Sequence, residues 1–180
     1  MARTIPVCPV IACRSEEISI LVHDYSLGIV TTLFAIVFLD EYLHVSTSVK
    51  RLFSGYEKAF NELDMRKSAE FFADSFISAG PNGTITTSKK EFLESGQKAA
   101  DFYRSVGQKS AKILSLLETP VTEQYSLVKV HWGVTFEKTG GKTIEFDVSY
   151  LLQKICTEPK IILFIAHQDE QKAMQELGLL

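Results

Sequence analysis

From residue 46 onward the spacing of apolar residues switches between helical and extended periods, and the switches fall at caps and turns. Val49, Leu52, Phe53, Tyr56, Ala59, Phe60 and Leu63 recur at three- and four-residue steps, which places them on one face of an amphipathic helix. Ser46, Thr47 and Ser48 offer N-caps ahead of it. Asp64 can cap a second helix over residues 65–73, with Met65, Ala69 and Phe72 inward and Phe71 alongside. Residues 76–79 carry a short strand signal. Gly80-Pro81-Asn82-Gly83 is a turn, because proline presets φ and Asn-Gly accepts positive φ. The β-branched residues 84–87 form the return strand. Ser88-Lys89-Lys90-Glu91 has the capping-box pattern and opens a third helix to about Ser105. Gly96 lies inside that helix, where glycine costs up to about 1 kcal/mol, so a close contact is expected there.

The remainder reads as strands over residues 112–117, 124–138, 142–156 and 160–168. In the second, Val128, Val130, Trp132, Val134 and Phe136 alternate with Lys129, His131, Gly133 and Thr135. In the third, Ile144, Phe146, Val148, Tyr150 and Leu152 alternate with Glu145, Asp147 and Ser149. Gly140-Gly141 and Thr157-Glu158-Pro159 turn the chain between them. The last strand is almost wholly apolar and is expected to be central. A polar tail over residues 169–180 can add a final helix. Consecutive strands on short turns make a meander, and the three amphipathic helices can cover its apolar face. The predicted fold class is α+β in two layers.

Composition narrows the function. The chain has 180 residues, 46% hydrophobic and 23% charged, which excludes a disordered tail or a disulfide-stapled miniprotein. The net charge of −3 leaves no electrostatic footprint for nucleic acid. That charge is unevenly placed. Residues 1–47 hold Arg3 and Arg14 against Glu16, Glu17, Asp24, Asp40 and Glu41, and the rest of the chain balances to zero. The longest apolar run, Tyr25 to Leu39, lies in the same segment. It is shorter than the roughly 20 residues of a membrane span, and its acidic flanks fit neither a secretory signal nor a positive-inside anchor. Residues 1–47 then read as a helix docked on a partner, as a membrane anchor through residues 25–39, or as an appendage of an extended translation start. The appendage is preferred, because the pattern of a complete domain begins at residue 46. The domain is assigned to residues 48–180. Cys8 and Cys13 lack the spacing of a closed metal site and read as free thiols of a reducing, cytoplasmic setting; Cys156, near the end of a strand pattern, reads as a small buried hydrophobe. No cofactor is expected, since no phosphate-binding glycine loop, HExxH motif or Ser-His-Asp order is present.

The segments ending FNELD, then KSAEFFADSFISAGPNG, SKKEFL and the meander ending IILFIAHQDE follow one another in an order that resembles the nuclear transport factor 2-like superfamily. This is the cystatin-like cone fold shared by polyketide-cyclase-like (SnoaL-like) proteins and ketosteroid isomerases. The resemblance implies three N-terminal helices on a curved antiparallel sheet, a conical pocket between them, and homodimerisation through the sheet. In ketosteroid isomerases a first-helix tyrosine donates a hydrogen bond to the developing enolate oxygen, assisted by a neutral carboxylic acid. Tyr56 stands at the matching place. The family's general base, an aspartate before a proline, is replaced by Gly80 before Pro81. The second carboxylic acid falls near Ser149, with Asp147 two residues away on the same strand face.

Two functional readings follow. One is a pocket for a small organic ligand, with isomerase- or lyase-type proton transfer as the accompanying chemistry. Tyr56, Trp132 and Tyr150 then offer rings and donors to the ligand. Tyr56 would polarise a carbonyl, with His131 or Asp147 as base. The other is a non-catalytic dimeric interaction module, in which His131, Asp147 and Ser149 belong to a polar ladder on the outer sheet face. The position of Tyr56, Trp132, His131 and Asp147 relative to one cavity separates the two.

Overall fold

The structure is a computed structural model that describes residues 45–137, 140, 143–154, 158–176 and 178. The apolar run 25–39, most of the predicted appendage and all three cysteines lie outside the described residues. Among the described residues no helix is long and apolar enough to cross a membrane.

Helix α1 spans Thr47–Asn61 and buries Val49, Leu52, Phe53 and Ala59, the face predicted from its spacing. It stops two residues before Leu63. The Leu63 N–H donates to Phe60 O and the Asp64 N–H to Ala59 O, with Leu63 at φ 51°. That is a Schellman closure with leucine where glycine is usual. Helix α2, Met65–Glu70, begins on the Asp64 carboxylate, which accepts from the Arg66 and Lys67 amides at 3.1 Å each. It ends three residues before the predicted boundary. The Ile161 N–H donates to Phe71 O, and Phe72 pairs with Ile161, so the sheet takes over where helical periodicity alone would continue.

Strand β1, Phe72–Gly80, and strand β2, Gly83–Ser88, form the hairpin around Pro81-Asn82, with Gly83 at φ 121°. Helix α3, Lys89–Ser105, opens on the predicted capping box: Glu91 N–H donates to Ser88 Oγ, and Ser88 N–H to Glu91 Oε2 at 2.8 Å. Then come β3 (Gln108–Pro120), β4 (Tyr125–Phe136), β5 (Thr143–Gln153) and β6 (Lys160–Ala166). Helix α4, Glu170–Glu176, is the final helix that the polar tail offered, a fourth beside the three N-terminal ones, and Met174 anchors it in the core.

One six-stranded sheet runs in the order β2-β1-β6-β5-β4-β3. The meander β3 to β6 is antiparallel throughout. The sheet as a whole is not, because β1 pairs with β6 in parallel. No tight turn links those two strands, so nothing forces the antiparallel sense there. β6 is central, as predicted. Strand β3 is an edge strand and extends well beyond residues 112–117. Its pairing with β4 from Gln108 to Pro120 sets its length, while two register shifts blur its alternation.

Even-numbered side chains of β4 and β5 face the helices. Val128, Val130, Trp132, Val134, Phe136, Val148, Tyr150 and Leu152 join Val49, Leu52 and Phe53 of α1 in a single buried cluster. Odd-numbered positions face the other side.

Candidate functional site: an aromatic cavity between α1, α3 and the sheet

Space remains where α1, α2, α3 and the β1–β2 hairpin meet the inner sheet face. The main cavity, about 720 Å³, is walled by Tyr56, Phe60, Met65, Ser68, Phe76, Thr87, Phe92, Gly96, Tyr103 and Phe164 among others. Two smaller hollows adjoin it. One, of about 140 Å³, lies between Tyr56, Phe92, Tyr150 and Phe164. The other, of about 110 Å³, is bounded by Tyr56, Phe60, Tyr103, Trp132, Phe146 and Tyr150. Tyr56 borders all three. A mostly apolar concavity with a few polar groups is the usual form of a small-molecule site.

Tyr56 occupies this junction because α1 presents it one turn after Leu52 and Phe53, which fix the helix against the sheet. Its ring meets Trp132 at 6.0 Å, Tyr150 at 6.3 Å, Phe72 at 5.7 Å and Phe71 at 5.9 Å, all edge to face. Such pairs contribute about 0.5–1.5 kcal/mol each beyond area burial, so Tyr56 is held by its neighbours. The three predicted ligand contacts, Tyr56, Trp132 and Tyr150, thus share one hollow.

Neither predicted base lines the hollow those three share, although Asp147 borders the other small hollow with Tyr56 and Tyr150. His131 precedes the inward Trp132 and lies on the outer face. Its Nδ1 is 3.0 Å from Asp147 Oδ1 and its Nε2 3.1 Å from Glu145 Oε2. The other Asp147 oxygen takes Lys129 Nζ at 3.0 Å. Asp147 borders the 140 Å³ hollow, but both its carboxylate oxygens are engaged by outer-face partners. Glu145 and Asp147 raise the His131 pKa above the ordinary histidine value against a small opposing effect of desolvation. Lys129 foremost, then His131, lowers that of Asp147 against desolvation. Ser149 sits in the same ladder, 2.8 Å from His167 Nε2. His131 therefore lies across the sheet from Tyr56, whereas Asp147 borders one hollow with Tyr56 while both its oxygens bind Lys129 and His131. Gly80 ends β1 against Ala166 and brings no acid–base group.

Other features of the site were not singled out in the sequence. Met65 reaches the cavity wall over Gly96, where a Cβ would collide with Met65 Cε. The helix-interior glycine was the visible sign of this approach. Ser68 lines the main cavity, and its Oγ is buried without a protein partner, an uncommon state for a buried hydroxyl. Far from the cavity, Glu118 is buried and accepts from Ser46 N–H, Ser126 Oγ and Lys154 Nζ. Burial alone would raise its pKa; the Lys154 ammonium and the Ser46 and Ser126 donors outweigh that and bring it to about 2. Among the described residues no His, Cys, Asp and Glu cluster is arranged to hold a metal ion.

Comparison with known proteins agrees with this architecture. Residues 46–169 match the family model described as NTF2-like protein (DUF6841). The chain belongs to that NTF2-like family. Among solved structures it is similar to an NTF2-like protein with a cystatin-like fold from Novosphingobium aromaticivorans, with a TM-score of 0.59 at 13% identity over 84% of this chain and 98% of that one. It is also similar to an NTF-2 like protein of unknown function from Shewanella oneidensis, with a TM-score of 0.57 at 16% identity over 67% of this chain and 97% of the other. A third, from Nostoc punctiforme, has a cystatin-like fold and a TM-score of 0.56 at 12% identity, covering 71% and 96% of the two chains. No curated protein sequence matches the chain. At these identities the likeness establishes the NTF2-like, cystatin-like fold, and function has to be argued from the site.

Proposed function

We propose that this NTF2-like protein binds a small organic molecule in the cavity around Tyr56. The observation that carries the reading is the convergence of Tyr56, Trp132 and Tyr150 on a hollow that shares walls with a cavity of about 720 Å³, a volume within the roughly 300–1,000 Å³ of small-molecule sites. Binding is favoured over isomerase- or lyase-type proton transfer. A base must lie within hydrogen-bond reach of the proton it takes; His131 stands in the outer ladder, and both Asp147 oxygens are engaged by Lys129 and His131. A thermal-shift screen of apolar compounds against the native chain and an Ala99→Phe variant tests the reading. Ala99 lines the main cavity on α3, and the added ring takes up part of it. Stabilisation of the native chain that is lost in the variant is expected; equal stabilisation of both places the ligand elsewhere.

The outer sheet face supports a second role, as a homodimer surface. Leu127 pairs with Leu151, Leu151 with Leu163, and Leu163 with Ile77, a continuous aliphatic row across four strands. Leu127 and Ile77 remain 40% and 38% exposed. A row of this kind beside the Lys129–Asp147–His131–Glu145 ladder joins an apolar strip to polar groups, the composition of an interface core with its rim. The two roles use opposite faces and are compatible.

A further inference from the structure

We infer that the aromatic hollow at Tyr56 is a cage for an organic cation, such as a trimethylammonium group carried on an apolar body. The inference rests on the ligand-binding reading above and names the chemical class. Among the described residues, the six side chains that border it are all aromatic: Tyr56, Phe60, Tyr103, Trp132, Phe146 and Tyr150. Ring faces carry negative quadrupole density and attract cations, more strongly where water is excluded. Trp132 and Tyr150 are buried and the other four walls half-buried, so an occupant is partly desolvated.

The shape selects a compact group over a flat one. Tyr56 meets Trp132 at an interplanar angle of 83° and Tyr150 at 80°, and Phe60 meets Tyr103 at 73°. Walls at such angles form the sides of a box rather than a slot for a planar ring. The hollow, about 110 Å³, far exceeds the roughly 10–15 Å³ one water needs.

Charge selects in the same direction. Among the described residues, no lysine, arginine or histidine lines this hollow or either adjoining cavity. Glu91 lines the main cavity, and hydrogen bonds from Ser88 hold its pKa below the ordinary glutamate value. An anion would be desolvated here with no countercharge. A cation meets ring faces within the box and a carboxylate nearby. Tyr56, Phe60 and Tyr103 border both the box and the main cavity, so an apolar body attached to the cation can extend into the larger space.

Isothermal titration of the full chain with choline, its uncharged carbon isostere 3,3-dimethyl-1-butanol, and 3,3-dimethylbutanoate tests this, with fluorescence of Trp132, the one tryptophan of the chain, as a second readout. Choline is expected to bind at least tenfold more tightly than the alcohol, and the carboxylate not measurably. Phe146→Leu keeps an apolar wall but removes a ring face; it should abolish the choline preference and leave the alcohol's affinity within about twofold. Equal or tighter binding of the alcohol, or silence of all three probes, overturns the cation assignment. The apolar screen above then distinguishes the two failures: a positive screen leaves the general ligand reading standing, and a silent one removes both.

Discussion

His131 and Trp132 are consecutive in β4, yet one joins the outer-face ladder through Asp147 and the other is buried beside the cavity. Strand alternation alone produces this division. It puts the aromatic cavity walls and the titratable ladder of His131 on opposite faces of β4. A His131→Ala variant is therefore expected to keep its ligand stabilisation in the thermal-shift screen unchanged, whereas Tyr56→Ala loses it. Loss of ligand response in His131→Ala would contradict the division.

The outer ladder has a pH signature. Glu145 foremost and Asp147 raise the His131 pKa. Its interactions thus favour the folded state below the unfolded histidine value of about 6.5 and lose that contribution as pH rises through the higher folded value. A histidine proton titration by NMR should give His131 a midpoint above 6.5, and Glu145→Gln should move it down.

Glu118 behaves oppositely. Its folded pKa of about 2 lies below the unfolded value, so its contribution is present above about pH 4.5 and disappears as pH falls toward 2. The linkage is on the order of 2–3 kcal/mol. Because Ser46 N–H and Lys154 both donate to it, Glu118→Gln should unfold earlier in urea at pH 7. It should also show a flatter stability profile between pH 5 and 2.

Two glycines give a paired prediction. At Gly55 a Cβ would stand 2.7 Å from the Phe71 ring, itself packed on Tyr56. A ring cannot yield, so Gly55→Ala should cost about 1–3 kcal/mol through overpacking, net of the roughly 1 kcal/mol that alanine gains in a helix. At Gly96 the obstacle is the end of Met65, which borders open cavity space and can swing into it. Gly96→Ala should therefore stay within about 1 kcal/mol of the native stability while weakening ligand stabilisation. Denaturant melts and the ligand screen measure both.

The aliphatic row makes the dimer surface testable. Leu151→Glu places a charge within it, between Leu127 and Leu163. Light scattering after size exclusion should show a dimer for the native chain and a monomer for the variant, with unchanged circular dichroism. A monomeric native chain would remove the surface from the account.

The helices and the meander were legible because their apolar residues repeat at one period and their ends carry local chemistry, as at Asp64 and the Ser88–Glu91 box. Boundaries set by long-range pairing were not. Phe71 and Phe72 continue a helical pattern, and only Ile161, distant in the chain, draws them into the sheet. The parallel β1–β6 pairing and the full length of β3 were hidden for the same reason. The shared inward placement of Tyr56, Trp132 and Tyr150 was legible from residue type and face. Ser68 was not, since one serine in a short helix carries no sign that its hydroxyl will be buried. Glu118 lay just past the predicted end of its strand, and its partners Ser46, Ser126 and Lys154 come from three separate segments.

The central claim is that small molecules bind inside, against Tyr56 and Trp132, and it is tested most directly by NMR titration of the labelled chain with a compound that stabilises it. The account predicts shifts concentrated at the Trp132 indole, the Tyr56 and Tyr150 rings and the Gly96 amide, with the His131 and Leu151 signals unmoved. Shifts confined to the outer sheet face, with the Trp132 indole unchanged at saturation, would contradict it.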